Sequence, residues 1–188
     1  MLYCDSMAVK KAVQVGNPII RTVAKLVLKF STKKVSGTIK NLTDSMRHYG
    51  LVGIAAPQIN VGLRIFISEI RETKFRRADL DELRVFINPT ITWRSKKQVS
   101  DWEGCGSCAN SNLFAKVKRS DSVVVEAQNE KGKLFTLKAA GFLARIIQHE
   151  LDHLDGIIFT DTADRSTYIS GEEYLKMRKL ERSGARKK

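Results

Sequence analysis

Cysteine is scarce in this chain: three among 188 residues. An odd, low count excludes a disulfide framework and fits a reducing compartment, where thiols serve metal or catalysis more than cross-linking. Cys4 stands near the terminus without a partner pattern and reads as a bystander. Long apolar runs are missing too. None approaches the roughly 18–20 residues that cross a bilayer, so no membrane partner is expected. The opening "MLYCDSMAVKKAVQVGN" joins no basic segment to a long apolar block, which argues against a secretory signal. No internal repeat or low-complexity linker interrupts the chain. The expectation is one domain over residues 1–188, in the cytoplasm. An organelle matrix is the alternative, although the start lacks the arginine- and serine-rich character of a transit peptide.

Acidic residues are outnumbered 20 to 33, for a net charge of +13. Such a field draws polyanions. The basic residues are spread along the chain, with one dense block in the tail at about 176–188, "KMRKLERSGARKK". The plain reading is a solvated surface and a frayed end. The sharper one is a weak, salt-sensitive contact with RNA-rich particles such as ribosomes. No specific DNA partner is expected.

"SGTIKNLTDSMRHYG" reads as a helix capped by Ser36 and ended by Gly50, with Ile39, Leu42 and Met46 on one face. His48, at its end, suits the surface and the helix dipole. Residues 63–68, 83–88 and 90–95 read as strands, the last two divided by Asn88-Pro89. "SVVVEAQNEKGKLFTLK" reads as a hairpin turning at Asn129 to Gly132. "AAGFLARIIQHELDHLDG" is the strongest helix signal, closed by Gly156. Strand-like "IIFTD" follows. A last helix opens with a capping box, Ser170 and Glu173. The class is α+β: mixed or antiparallel sheets packed around a central helix, with a C-terminal helix.

That central helix carries H-E-x-x-H: His149, Glu150, His153. Residues i and i+4 share a helix face, so two imidazoles can hold one metal ion. Glu150 beside them can take and return the proton of a water acidified by that ion. Isolated H-E-x-x-H strings do occur, and histidines also serve as core residues. Here two of only three histidines stand at this spacing inside an apolar helix. A third protein ligand is required. Glu172 is one candidate, with eighteen residues between it and His153. A cysteine of "EGCGSC" (103–108) is the other. Local chemistry favours the cysteine: acidic residues in a helix's first turn are explained by the dipole alone, whereas glycines flanking a soft thiolate let backbone approach a metal.

"LVGIAAPQ" (51–58), "EGCGS" (103–107) and "QHELDH" (148–153) stand in the order of the three motifs of peptide deformylases, and the chain resembles that family over roughly residues 15 to 165. The resemblance implies an enzyme that removes the formyl group from the N-terminal formyl-methionine of new proteins and releases formate. It implies Cys105, His149 and His153 as metal ligands, with ferrous iron first and zinc, nickel or cobalt as alternatives. Water activated by the ion would attack the formyl carbon, with Glu150 as general base and then acid. Gln58 and the backbone N–H of Gly106 would stabilise the oxyanion, and Gly53 would offer backbone to the peptide. An apolar pocket for methionine would draw on Val52, Phe142 and Ile146; plain core packing is the other reading of Phe142 and Ile146. Cys108 falls outside the motif and reads as packing. Glu103 and Arg119 read as a structural ion pair, and Ser107 and Asp152 as hydrogen-bonding, exposed positions. Two positions depart from the family pattern: Leu51 replaces a glycine, and Gly106 stands where bacterial members often carry leucine. They leave open a relative that binds ribosomes or RNA without turnover.

Overall fold

The computed structural model describes residues 9–72 and 79–185. Cys4, most of "RETKFRR" and the last three residues of the basic tail lie outside them. Among the described residues, two antiparallel sheets flank one buried helix. The larger sheet has the order β1-β2-β3-β6-β7: β1 Gly53–Ala55, β2 Ile65–Ile70, β3 Asp81–Arg94, β6 Ser122–Gln128 and β7 Leu134–Ala140. The smaller runs β4-β5-β8: Gln98–Gly104, Leu113–Ser120 and Ile169–Ser170.

Helix α1 spans Lys33–His48. Its cap is Thr32, not Ser36: Thr32 has extended backbone, and its hydroxyl accepts the Val35 N–H. Ser36 lies inside the first turn, where its hydroxyl bonds back to the Thr32 carbonyl. Val35, Leu42 and Met46 bury one face against Ile54, Ile65, Ile67 and Ile87. Along β2 the side chains alternate, so Phe66 points to the opposite face and stacks on Phe86 with centroids 4.4 Å apart. That second face receives α2, Gly141–Leu154, through Ala144, Ile147, Leu151 and Leu154. Strand β2 is therefore covered on both sides, which explains its nearly unbroken apolar sequence.

Three sequence expectations change. The two strands divided at Asn88-Pro89 are one strand, β3, whose register against β6 slips between Ile87 and Thr90. Asn88 sits there at φ +52°, and its side chain holds both the N–H (2.8 Å) and the carbonyl (2.9 Å) of Val27. A proline fits a sheet at such a bulge. Residues 139–140 finish β7, so α2 starts two residues later than expected, at Gly141. "IIFTD" is not a strand: Phe159–Thr162 forms the short helix α3, because the Asp161 carboxylate accepts the Ile158 N–H at its start. The hairpin turn, Gly50 and Gly156 stand as expected, all three glycines at positive φ. A Cβ on Gly156 would meet the Arg21 carbonyl oxygen at 2.6 Å. Ser170 ends β8 and accepts the Glu173 N–H at the start of α4, Gly171–Ala185.

Candidate metal and active site

Helix α2 lies between the sheets, and its face away from the larger sheet carries His149 and His153. Opposite it, β4 ends at Gly104 and delivers Cys105. The ligand atoms of Cys105, His149 and His153 all lie within 4.8 Å of one another. Cys105 Sγ is 3.1 Å from His153 Nε2.

Each donor is held by something behind it. His149 Nδ1 bonds Glu103 Oε2 at 2.9 Å, which leaves Nε2 for a ligand. Glu103 also accepts two bonds from Arg119, at 2.8 and 2.9 Å, and one from Arg145 at 2.7 Å. Arg119 reaches on to Asp152 at 2.6 Å. The pair read as structural is thus a buried hub, and it orients one histidine of the triad. Burial alone would raise the Glu103 carboxyl, but Arg119 and His149 outweigh it and hold it well below the usual carboxylate range.

Burial works to lower His149, and its bond to Glu103 more than offsets this, so its pKa is raised. Burial drives His153 the other way, well below an ordinary imidazole, and so keeps it in the neutral form that ligates. The Cys108 thiol, and then burial, push Cys105 well up; a divalent cation is the partner that would stabilise its thiolate. One thiol and two imidazoles fit iron, zinc, nickel or cobalt better than calcium or magnesium, which prefer oxygen. Glu172 takes no part: its side chain is 76 % exposed and pairs with Lys176 at 2.8 Å. Cys108 is buried with Ile20, Val117 and Phe159, as a packing residue should be.

Glu150 is buried against this triad, and its Oε2 finds no hydrogen-bond partner among the described residues. Burial is the main reason its pKa rises to about 7. Gly53 makes room for it: a Cβ there would meet Glu150 Oε1 at 2.6 Å and Ile146 Cγ2 at 2.9 Å. Gln58 is oriented by the Ala55 N–H, which donates to its Oε1 at 2.8 Å. That bond turns Nε2 toward Cys105 Sγ (3.5 Å) and Ser107 Oγ (3.4 Å). Ser107, expected to be exposed, is fully buried, and its N–H points at the Cys105 sulfur at 3.4 Å.

These groups open into a cleft of about 740 Å³, mouth included, which Val52, Gly53, Gln58, Gly106, Phe142 and Ile146 all line. Apart from Glu172, the sequence-derived site candidates therefore meet at one place. Leu51 and Gly106 are neighbours as well: a Cβ on Gly106 would lie 3.5 Å from Leu51 Cδ1, an ordinary van der Waals contact, so the leucine leaves room for one.

A sequence model of polypeptide deformylases matches residues 9–168. The chain belongs to the peptide deformylase family. Among curated relatives, peptide deformylase 1 of Bacillus subtilis is 40% identical over 171 residues, covering 91% of this chain and 99% of the relative. Peptide deformylase 1 of Bacillus cereus is 37% identical over 159 residues, covering 85% and 95%. Among solved structures, a class I type b deformylase from Acinetobacter baumannii with Met-Ala-Ser bound aligns with a TM-score of 0.76 at 29% identity, over 81% of this chain and 98% of that one. The deformylase of Thermotoga maritima aligns at 0.74 and 30%, over 83% and 98%. The deformylase fold expected from the motifs is therefore established for this chain, as is the hydrolase class.

Sequence reading missed two supports of the deformylase site. Gln148 clamps α2 to β5: its amide bonds both the N–H (3.2 Å) and the carbonyl (2.9 Å) of Ser120. A glutamine on the buried face of an apolar helix was the available signal. Arg145 bonds Glu103 and also the carbonyls of Val117 and Val99. A buried arginine one turn before the first histidine was the signal there.

Proposed function

We propose that this deformylase hydrolyses the formamide of N-terminal formyl-methionine through the residues gathered in the cleft. The observation that carries the reading is the convergence of Gln58 Nε2, the Cys105–His149–His153 donors and buried Glu150 on one volume. Cys105, His149 and His153 would hold a divalent ion, ferrous iron by preference. When bound, that ion supplies a Lewis acid and makes water acidic enough to be a nucleophile near neutral pH. Glu150, poised near 7, takes the proton from the attacking water and returns it to the leaving nitrogen. The Gln58 amide and the Gly106 N–H donate to the oxygen on which charge develops; neither can ionise, so both stay donors throughout. Gly53 leaves the backbone of β1 open to pair with the peptide. Val52, Phe142 and Ile146 exclude water around the methionine side chain. The formylated end of a nascent chain is the substrate. The bacterial relatives support the cytoplasm as the place of action, and the +13 charge supports a weak, salt-sensitive encounter with the ribosome.

Formate release from formyl-Met-Ala-Ser, assayed without oxygen and with iron or nickel supplied, tests the reading. Cys105→Ser should lose metal and turnover together, while Cys108→Ser and Glu172→Ala keep both. Metal retained by Cys105→Ser and lost by Glu172→Ala would overturn the ligand set. Absence of turnover with any metal would turn the reading toward a binding protein.

A further inference from the structure

The deformylase chemistry has no use for Cys108, yet this free thiol stands three residues from the proposed ligand Cys105. The backbone brings the two together. The Cys108 N–H donates to the Cys105 carbonyl at 3.0 Å, which closes a turn over Gly106 and Ser107. Such a turn holds its first and fourth Cα atoms within about 7 Å, and a disulfide spans about 4.4–6.8 Å between Cα atoms. Both side chains leave the turn into one buried cluster, with Ile20, Ala115 and Val117. The two thiols interact there.

The sulfurs differ in access. Cys105 lines the cleft beside Gln58, Gly106 and His149. Cys108 is outside that lining and packs in the cluster with Ile158 and Phe159. A small oxidant that enters the cleft therefore meets Cys105 first, with Cys108 behind it.

The backbone after Cys108 is strained. Ala109, Asn110 and Ser111 hold φ of +49°, +51° and +65° in succession, a left-handed run that costs energy at each L-residue. Two hydrogen bonds hold it: the Cys108 carbonyl accepts the Ser111 N–H at 3.0 Å, and Gln14 Oε1 accepts the Asn110 N–H at 2.9 Å. A stretch held this way gains by relaxing, so it gives when Cys108 shifts toward Cys105.

We infer that Cys105 and Cys108 form a peroxide-sensitive redox pair, in which Cys108 captures an oxidised Cys105 as a disulfide, releases the metal and spares the ligand from irreversible oxidation. In the first step the Cys105 sulfur attacks the O–O bond of a hydroperoxide. An S–O bond forms, the sulfur is oxidised to a sulfenic acid, and the peroxide is reduced to an alcohol or water. In the second step the Cys108 sulfur attacks the Cys105 sulfur. The S–S bond forms, the S–O bond breaks, and the oxygen leaves as water with the Cys108 proton. Two thiols thus give up two electrons and two protons to one peroxide. A dithiol reverses the bridge by exchange. Without Cys108 the sulfenic acid passes on to sulfinic and sulfonic acids, which thiols do not reduce. A transient, sensing disulfide of this kind is compatible with a reducing compartment. Loss of metal rests on the proposed ligand set, because a bridged sulfur no longer offers a thiolate; formation of the disulfide does not.

The test uses the full chain with Cys4→Ser, so that only the two thiols remain. The protein is loaded with zinc, which has no redox chemistry of its own, and treated with hydrogen peroxide. Released zinc is followed with a coloured chelator. The peptide that holds both cysteines is weighed before and after dithiothreitol. This two-cysteine protein should lose its zinc, and the peptide should become lighter by two hydrogens. Dithiothreitol should restore both the mass and the capacity to bind zinc. Adding Cys108→Ser should leave zinc and formate release intact until peroxide arrives. Cys105 should then gain two or three oxygens that dithiothreitol does not remove.

The same irreversible gain of oxygen with and without Cys108 would overturn the pair. So would an unchanged mass, or a disulfide that links two chains. A bridge that forms while zinc stays bound would overturn Cys105 as a ligand. Absence of formate release from any formyl peptide before oxidation would overturn deformylation, and the mass would still judge the pair. Should Cys108→Ser fail to fold, the mass of the two-cysteine protein decides alone.

Discussion

Glu103 shows how much one carboxylate can organise. It holds Arg119, Arg145 and His149 together within the interior. Glu103→Gln removes the charge that pairs both guanidinium groups and weakens the acceptor behind His149. The expected result is a loss of about 10–100-fold in metal affinity, read by chelator competition. Leaving a buried charge uncompensated also costs about 3–5 kcal/mol, read by urea unfolding. At Gly53 the issue is space rather than charge. Gly53→Ala drives a methyl group into Glu150 and Ile146. The variant should keep its metal by elemental analysis and lose turnover by about 100-fold, the penalty for an ångström-scale misplacement of a catalytic group.

At the scale of elements, α2 is held laterally by Gln148. Gln148→Leu keeps the volume but strips the partners from the buried Ser120 N–H and carbonyl. A loss of about 1–3 kcal/mol is expected, visible as a lower urea midpoint with unchanged slope. Elements whose periodicity is uninterrupted were legible from sequence: α1, α2 and the β6–β7 hairpin. Those decided by a single side chain were not. Thr32 rather than Ser36 caps α1 because backbone conformation selects the cap, and Asp161 bends "IIFTD" into a helix. Strand β5 could have been found, since Ala115, Val117 and Arg119 are buried while Lys116 and Lys118 are exposed; its charged half hid that alternation. The three proposed ligands were legible as a group because motif order carries them, and their donor atoms do come together. The hub behind them was not, because Glu103 meets Arg145 and His149 only once a helix whose residues lie 42 and 46 positions away has packed.

For the whole molecule, the buried Glu150 links stability to pH. Its folded pKa, about 7, lies above the 4.5 of an ordinary glutamate side chain. The folded state therefore binds the extra proton between those values, and the stability this group lends is present below about 4.5 and lost as pH rises through 7. Metal-free protein should show it. Glu150→Gln, which cannot ionise, should gain melting temperature relative to the parent chain as pH goes from 6 to 8. Equal pH slopes for the two would remove Glu150 from that linkage. Comparing the two chains cancels the contributions of Glu103 and the histidines, which both share.

The triad also sets a clock on folding. Cys105 and His153 are 48 positions apart, one arriving on the smaller sheet and the other on the helix beneath the larger. Bringing them together requires the loop between them to close, and contacts of such long range form late. No short segment of the nascent chain holds all three donors. With these three as the proposed ligands, metal capture waits for the second half of the chain, and an ion in the cleft would mark a molecule whose α2 has packed beside Cys105.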